Sequence, residues 1–555
     1  MVVPELRAWR AVRPRLARLA RAARPRLARV AQAVKPRVAR LARAAGPRLV
    51  TPRTWQYTAG AATAGLVLAA GAVTAAGPWD SSGKRTAERH RAAALEHTGG
   101  ADHGRRNDTS DTSRTRDTSA GGARPAPSAL PVLVGLGGAG GPVEPVSDGS
   151  GLPAVLDPLL QNPALGTRRS ASVVDMATGR RLYGQGAGEA LTPASTTKIA
   201  TGVAALSALG PDHRLTTRAV LEPGTGELVL VGGGDPTLTA REDAQGWASL
   251  RTLADETAAA LTKRGVTKVT LSYDTSLYAG SDLHPIGVNE NIARVTALMT
   301  DAARTDDSTR GPAPRVADPA AQAADAFARL LSDAGIRTTA AGPSRAAARA
   351  KTLATVSSPP LSTLVERMLT NSDNDIAEAL TRHTALAAGA RPDFAGGAAA
   401  VEARLQKLGL PLTGAAFHDG SGLDRADRLT ADLLTALLLK AADPAHPELR
   451  PVLTGLPVAG FTGTLSGRYV NGADGAAGAD GAAGADGAAG ADGAAGLVRA
   501  KTGTLTGVNT LAGTVMTQDG HLLAFAFLTE NTAGQEAAQS ALDRAVTALT
   551  TCSCR

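Results

Sequence analysis

Apolar residues recur at helical spacing behind Lys198: Ile199, Val203, Leu206 and Leu209 stand four, three and three apart, and Gly210-Pro211 supplies a stop. This pattern predicts a helix opening in Leu191-Thr192-Pro193-Ala194-Ser195-Thr196-Thr197-Lys198, with Ser195 in its first turn and Lys198 on the same face. From about Leu152 onward the chain reads as globular. SASVVDMATGRRLYGQGA reads as a hairpin turning at Asp175–Gly179. GELVLVGGGDPTL suggests a strand running into a glycine turn, VTKVTLSYDTSL a second strand, and DPAAQAADAFARLLSDAG a helix. PLSTLVERMLTNSDNDIAEALTRHTAL reads as helix, polar break, helix. GLVRAKTGTLTGVNTLAGTVMTQDGHLLAFAFLTEN reads as strands joined at Gln518-Asp519-Gly520, and a last helix with Leu542, Val546 and Leu549 on one face is placed to cover that sheet.

Upstream of Leu152 the pattern differs. Three eleven-residue repeats, RPRLARLARAA (13–23), RPRLARVAQAV (24–34) and KPRVARLARAA (35–45), each open with a cation and a proline, which breaks any continuous helix. Thr58–Gly77 then runs twenty residues without a charge, the length that crosses a hydrocarbon core of roughly 30 Å. Trp55, Tyr57 and Trp79 flank it like interfacial anchors. Residues 57–78 are read as a transmembrane signal-anchor or, if cut near Thr74-Ala75-Ala76-Gly77, a signal peptide. Either way the body lies outside the cytoplasm. Residues 79–151 form a polar linker with too little apolar content to fold, and the GADGAA copies at 472–496 form a solvated low-complexity loop.

Charge changes the picture because of where it sits. The 555-residue chain carries +9, but residues 1–56 hold 15 Lys/Arg against one acid, Glu5, and the remainder is mildly acidic at −5. The basic tail is cytoplasmic on the positive-inside rule and is a possible partner of anionic lipid. At 3% aromatic residues the body has no base-stacking surface, so no nucleic acid is expected. Cys552 and Cys554, both in the last four residues, cannot staple the body. The nine histidines show no HExxH and no tight pair with metal-ligand spacing, so no metal and no cofactor are expected.

Three short motifs stand in order: Ser195-x-x-Lys198, Ser372-Asp373-Asn374 and Lys501-Thr502-Gly503. A serine hydroxyl attacks only when a base takes its proton, and a lysine serves as that base only when its ammonium is destabilised. A depression of about three units, worth about 4 kcal/mol, lies within what burial plus one like charge supplies, and Lys501 is that charge in this reading. Ser372 is placed to relay a proton, and Asn374 to hold both Lys198 and a substrate amide. Lys501 and Thr502 would bind a carboxylate, Gly503 would let substrate backbone approach the strand edge, and the N–H of Thr504 would complete an oxyanion hole with that of Ser195. The motif alone is weak, as Ser81-Ser82-Gly83-Lys84 in the linker shows. Asp235 and His418 are read as turn-forming and surface residues.

PASTTK, GGGDPTL, MLTNSDNDIAEAL, DGSGL, LPVAGFTGTLSGR and VRAKTGTLTGV together resemble the low-molecular-mass class C penicillin-binding proteins, the D-alanyl-D-alanine carboxypeptidase/endopeptidase family in its actinobacterial form, over about 152–555. The resemblance implies an α/β (α+β) transpeptidase-like fold shared with serine β-lactamases, an antiparallel sheet flanked by helices. The catalytic domain would comprise 152–214 and 360–555, with a lobe inserted at 215–359. It also implies an acyl-enzyme on Ser195, acting on peptidoglycan stem peptides ending in D-Ala-D-Ala and acylated by β-lactams. Two features depart from the family pattern: Asp424 after DGSGL, and the spacing of 177 from Ser195 to Ser372, short for an insert of two lobes. The rival readings are a β-lactamase and a non-catalytic sensor of β-lactams or muropeptides. The expected location is the cell envelope, with the catalytic domain extracytoplasmic.

Overall fold

The computed structural model describes residues 151–469 and 491–551. The basic repeats, the 57–78 segment, the linker with Ser81 and Lys84, most of the GADGAA run and both cysteines lie outside the described residues. Among the described residues no helix is long and apolar enough to cross a membrane.

The described chain opens with α1 (Gly151–Leu160), then β1 (Arg168–Asp175) and β2 (Arg181–Gln185), hinged where Gly179 sits at φ 72°. A 3-10 turn, Ala194–Thr196, leads into α2 (Thr197–Leu209), closed by Gly210 at φ 84°. A second sheet follows, from β3 (Thr216–Leu221), β4 (Glu227–Val231), β5 (Lys268–Asp274), β6 (Arg337–Pro343) and β7 (Lys351–Ser357), with α3 (Leu250–Thr262) and α4 (Pro319–Asp333). Next come α5 (Leu361–Asn371), α6 (Asn374–Ala387), α7 (Phe394–Lys407), α8 (Ala431–Ala442) and the short α9 (Pro451–Thr454). The chain ends in β8 (Val498–Leu505), β9 (Val508–Met516), β10 (Leu522–Glu530) and α10 (Gln535–Thr551).

The first sheet has the order β2-β1-β10-β9-β8 and is antiparallel throughout. Its central strand β10 shows why it is buried on both faces. Leu523, Phe525 and Phe527 alternate onto a face covered by α1 and α10 through Leu152, Leu156, Leu542, Val546 and Leu549. Ala524, Ala526 and Leu528 point the other way, into a core with α2, α5, α6 and α8. The small residues on that side let the central helix α2 lie close, and its residues from Thr197 to Leu206 are all buried.

The second sheet, order β6-β5-β4-β3-β7, is mixed: β4, β5 and β6 run parallel, and β3 pairs antiparallel with β4 and β7. Parallel neighbours need crossovers, which α3 and α4 supply, and their apolar faces build a separate core around Leu253, Leu261, Phe327 and Leu331. All five strands fall between the first and second motifs, and the described residues of the insertion build a single lobe. A long irregular stretch between β5 and α4 leaves this sheet and returns to the first core, where Ala293 N–H and Arg315 both reach Asp375.

Candidate active site

Ser195 sits in the 3-10 turn before α2, and Lys198 follows one turn on, fully buried. Lys198 Nζ lies 2.9 Å from Ser195 Oγ, 2.6 Å from Asn374 Oδ1 and 2.6 Å from the carbonyl oxygen of Ser421. The last two can only accept. A neutral amine has two N–H groups and one lone pair, so both N–H groups are committed and the lone pair is left facing the serine hydroxyl. Burial lowers the Lys198 amine to about 8, against the charges of Asp419, Glu378, Asp373 and Asp375, which favour the ammonium. Desolvation is the largest cause of that depression, and like-charge repulsion with Lys501 acts within the same buried pair. Lys501 is itself held well below the ordinary lysine value by burial and then by the nearby Lys198.

Ser372 occupies the break between α5 and α6 at φ 57°, a left-handed conformation that ends one helix, and Asp373 caps the next by accepting from Ile376 N–H. This reversal presents Ser372 Oγ to Lys501 Nζ at 2.9 Å and Asn374 to Lys198. Asn374 Nδ2 also donates to the Asn291 carbonyl of the inserted lobe, leaving one of its protons for a substrate.

β8 forms the edge of its sheet. Ala500 N–H points away from β9 to the Pro457 carbonyl, and the two-residue period of a strand then turns the N–H groups of Thr502 and Thr504 to the same outer edge. Lys501 is fully buried and does not line the cleft, whereas Thr502 and Thr504 do, and Thr502 Oγ1 shares a hydrogen bond with Thr464. Gly503 has a different reason from the one expected. A Cβ there would meet Thr510 Oγ1 at 2.1 Å and the Pro193 carbonyl at 2.7 Å, so its bareness seats β8 against the turn that carries Ser195 rather than admitting substrate.

The cleft measures about 610 Å³ and opens on Ser195, Ser372, Asn374, Thr502 and Thr504. Arg304, Arg310 and Arg315 from the lobe, with Arg468, give its walls more positive than negative charge, the acids being Asp373 and Asp375. Asp235 accepts from Thr237 N–H and Oγ1 as a turn residue, and His418 is half-exposed; neither lines this cleft. Asp424 donates its N–H to Asp419 and accepts from Ala426 N–H, a turn role.

Four groups at the site escaped sequence reasoning: the Ser421 carbonyl, Asp419, Glu378 and His284. The DGSGL signature marked the loop but no role within it, and nothing in the spacing tied His284 to Asp419, 135 positions away. His284, Glu378 and Asp419 bring potential ligand atoms within 4.8 Å of one another. Both oxygens of Asp419 and one of Glu378 are engaged by protein donors: Asp419 accepts from the N–H groups of Gly422, Leu423 and Asp424, and Glu378 Oε1 from those of Gly420 and Ser421.

Residues 152–304 and 289–551 match the model of the D-Ala-D-Ala carboxypeptidase 3 (S13) family. The chain belongs to that family. It is accordingly a serine-type D-Ala-D-Ala carboxypeptidase, and a family of penicillin-binding proteins is the setting of the site just described. A carboxypeptidase of Mycobacterium tuberculosis is 34% identical over 453 residues, covering 78% of this chain and 91% of that one. Carboxypeptidase DacB of Mycolicibacterium smegmatis is 35% identical over 418 residues, 73% of this chain and 85% of that one. Penicillin-binding protein 4 of Haemophilus influenzae has the same fold, with a TM-score of 0.56 at 22% identity over 72% of this chain and 98% of that one.

Proposed function

We propose that this S13 peptidase works through an acyl-enzyme on Ser195, with neutral Lys198 as the base, on peptidoglycan stem peptides ending in D-Ala-D-Ala. One observation carries the reading: a fully buried lysine amine, 2.9 Å from a serine hydroxyl, with its two other contacts made by acceptors. Lys198 takes the hydroxyl proton as Ser195 Oγ bonds to the penultimate D-Ala carbonyl carbon. The Ser195 and Thr504 N–H groups face the oxygen that gains charge. As the C–N bond breaks, Ser372 passes a proton to the departing D-Ala nitrogen, and water then releases the acyl group. Thr502 and Thr464 meet the terminal carboxylate directly, and Lys501 acts on it from behind Ser372. The cationic cleft walls favour peptides bearing further carboxylates, which suits D-Ala-diaminopimelate cross-links and an endopeptidase activity beside the carboxypeptidase one.

The uncharged run at 57–78 and the basic tail support an enzyme facing the cell wall, anchored through that segment or released where it is cut. Mass spectrometry of the protein with benzylpenicillin tests the chemistry. A single adduct on Ser195 is expected, lost in Ser195→Ala together with D-Ala release from a pentapeptide. Labelling or D-Ala release that survives the substitution overturns the assignment. An adduct that clears in milliseconds rather than minutes would mark a β-lactamase instead.

A further inference from the structure

We propose that His284, supplied by the inserted lobe, is a positioning residue for the base: through Asp419 it holds the Ser421 carbonyl on Lys198 and so aims the amine at Ser195. This rests on Lys198 being the base. The contacts form an unbroken chain. His284 Nε2 lies 2.9 Å from Asp419 Oδ2, both side chains fully buried, and Phe394 packs edge-on against the imidazole at 5.1 Å. The same Asp419 oxygen accepts from Ser421 Oγ and from the N–H groups of Leu423 and Asp424, and its other oxygen from Gly422 N–H. With Glu378 taking the Gly420 and Ser421 N–H groups, every amide from 420 to 424 ends on one of two carboxylates. The loop is thereby bent so that two carbonyls face α2: that of Gly420 accepts from Thr201 Oγ1 at 2.7 Å, and that of Ser421 meets Lys198 Nζ at 2.6 Å. A Cβ at Gly422, whose φ is 78°, would run into the Ala194 carbonyl beside Ser195, so the bare glycine lets the loop lie close against that turn.

Charge runs along the same path. Lys198 is faced by Asp373 at the cap of α6, by Asn374, Asp375 and Glu378 within it, by Asp419 of the loop and by Lys501 of β8; Arg315 pairs with Asp375, and Arg382 lies near Glu378. Asp419 is faced by His284, Glu378, Asp424 and Asp427. Burial disfavours the Asp419 charge, but the His284 bond and the loop amides outweigh it and hold the carboxyl at about 2. Burial likewise opposes a charge on His284, yet the bond to Asp419 and the surrounding carboxylates raise its pKa. While His284 holds its proton it offsets Asp419, the first of the carboxylates that favour the Lys198 ammonium. Removing it leaves that negative charge bare and makes Lys198 harder to deprotonate.

The test is the pH dependence of benzylpenicillin acylation in the full chain, counted per folded protein, with KM and kcat for a D-Ala-D-Ala peptide. For His284→Ala the acylation rate is expected to fall about tenfold or more, since a base displaced by a fraction of an ångström loses its alignment. The acid limb should move up by about one pH unit, with peptide KM changed less than about twofold. His284→Gln, whose amide donates to Asp419 but carries no charge, should recover most of the alkaline rate and keep the displaced limb. Three results overturn the proposal: a parent-like profile in His284→Ala, an equal loss at every pH with the limb unmoved, or a His284→Gln as slow as the alanine variant. If His284→Ala fails to fold, the limb of His284→Gln decides, displaced in support or parent-like against. A parent protein that forms no adduct on Ser195 would instead overturn the reading of the site itself.

Discussion

Lys198 costs the folded protein stability, and the cost has a sign that experiment can read. The amine titrates at about 8 folded and at the ordinary 10.5 unfolded. Between those values the unfolded chain binds more protons, so the penalty is fully present below pH 8 and is relieved as pH rises toward 10.5. The difference is about 3 kcal/mol. Urea unfolding of the parent and of Lys198→Met should therefore show the parent gaining roughly that much relative to the variant between pH 7 and pH 10.5. In the same window the acylation rate of the parent should rise through a single limb near pH 8, and Lys198→Met should not acylate. At this scale the residue order alone singled out the three motifs that the fold brings together, Ser195 and Lys198 with Asn374, and Ser372 with Lys501, because the proposed chemistry restricts which side chains can serve. The origin of the Lys198 shift was not, since desolvation is set by whatever closes over the amine and no spacing reports that.

Elements carry the next layer. α2 was readable because Ile199, Val203 and Leu206 repeat at helical spacing, and the hairpin because Asp175 and Gly179 are turn residues. The helix break at Ser372 was readable from its polarity, but not the left-handed backbone there, which aims Ser372 at Lys501 and Asn374 at Lys198. Gly503 shows the limit most plainly. Sequence suggested room for substrate, whereas the space is filled by Pro193 and Thr510 where β8 meets the nucleophile turn. Gly503→Ala is expected to push the strand from that turn, lowering acylation by about 100-fold for an ångström of displacement and stability by about 1–3 kcal/mol. Stopped-flow acylation and thermal unfolding check both; a variant with parent-like rates would show that β8 has slack there.

At the scale of the whole molecule, the insertion does more than interrupt the catalytic domain. Its returning stretch docks on α6 through Ala293 N–H and Arg315, both on Asp375, and Arg315 also grips the Ala302 carbonyl. The Arg315–Asp375 pair, at 2.9 Å, is almost wholly buried. Removing one partner of such a pair costs about 3–5 kcal/mol, since the other charge stays behind unpaired. Burial already raises the Asp375 pKa even with Arg315 present. Arg315→Ala should therefore be destabilised most at pH 8 and less at lower pH, in the direction in which Asp375 takes up a proton; denaturant midpoints at pH 8 and pH 5 measure it. Equal losses at both would place the cost in packing rather than charge.

The amino-acid order by itself determined the local elements and marked the three short motifs, because periodicity, turn chemistry and each motif are written within a few neighbouring residues. It also separated a basic, apolar and polar N-terminal region from a globular body. Only the tertiary structure decided what surrounds the base: which carbonyl the Lys198 amine faces, which carboxylates bend the Gly420–Asp424 loop, and that a histidine from a distant lobe closes the arrangement. The first and last of those relations join residues more than a hundred positions apart, and the energies of all three depend on burial and on distances of a few ångströms, quantities that come into being only when the chain has packed.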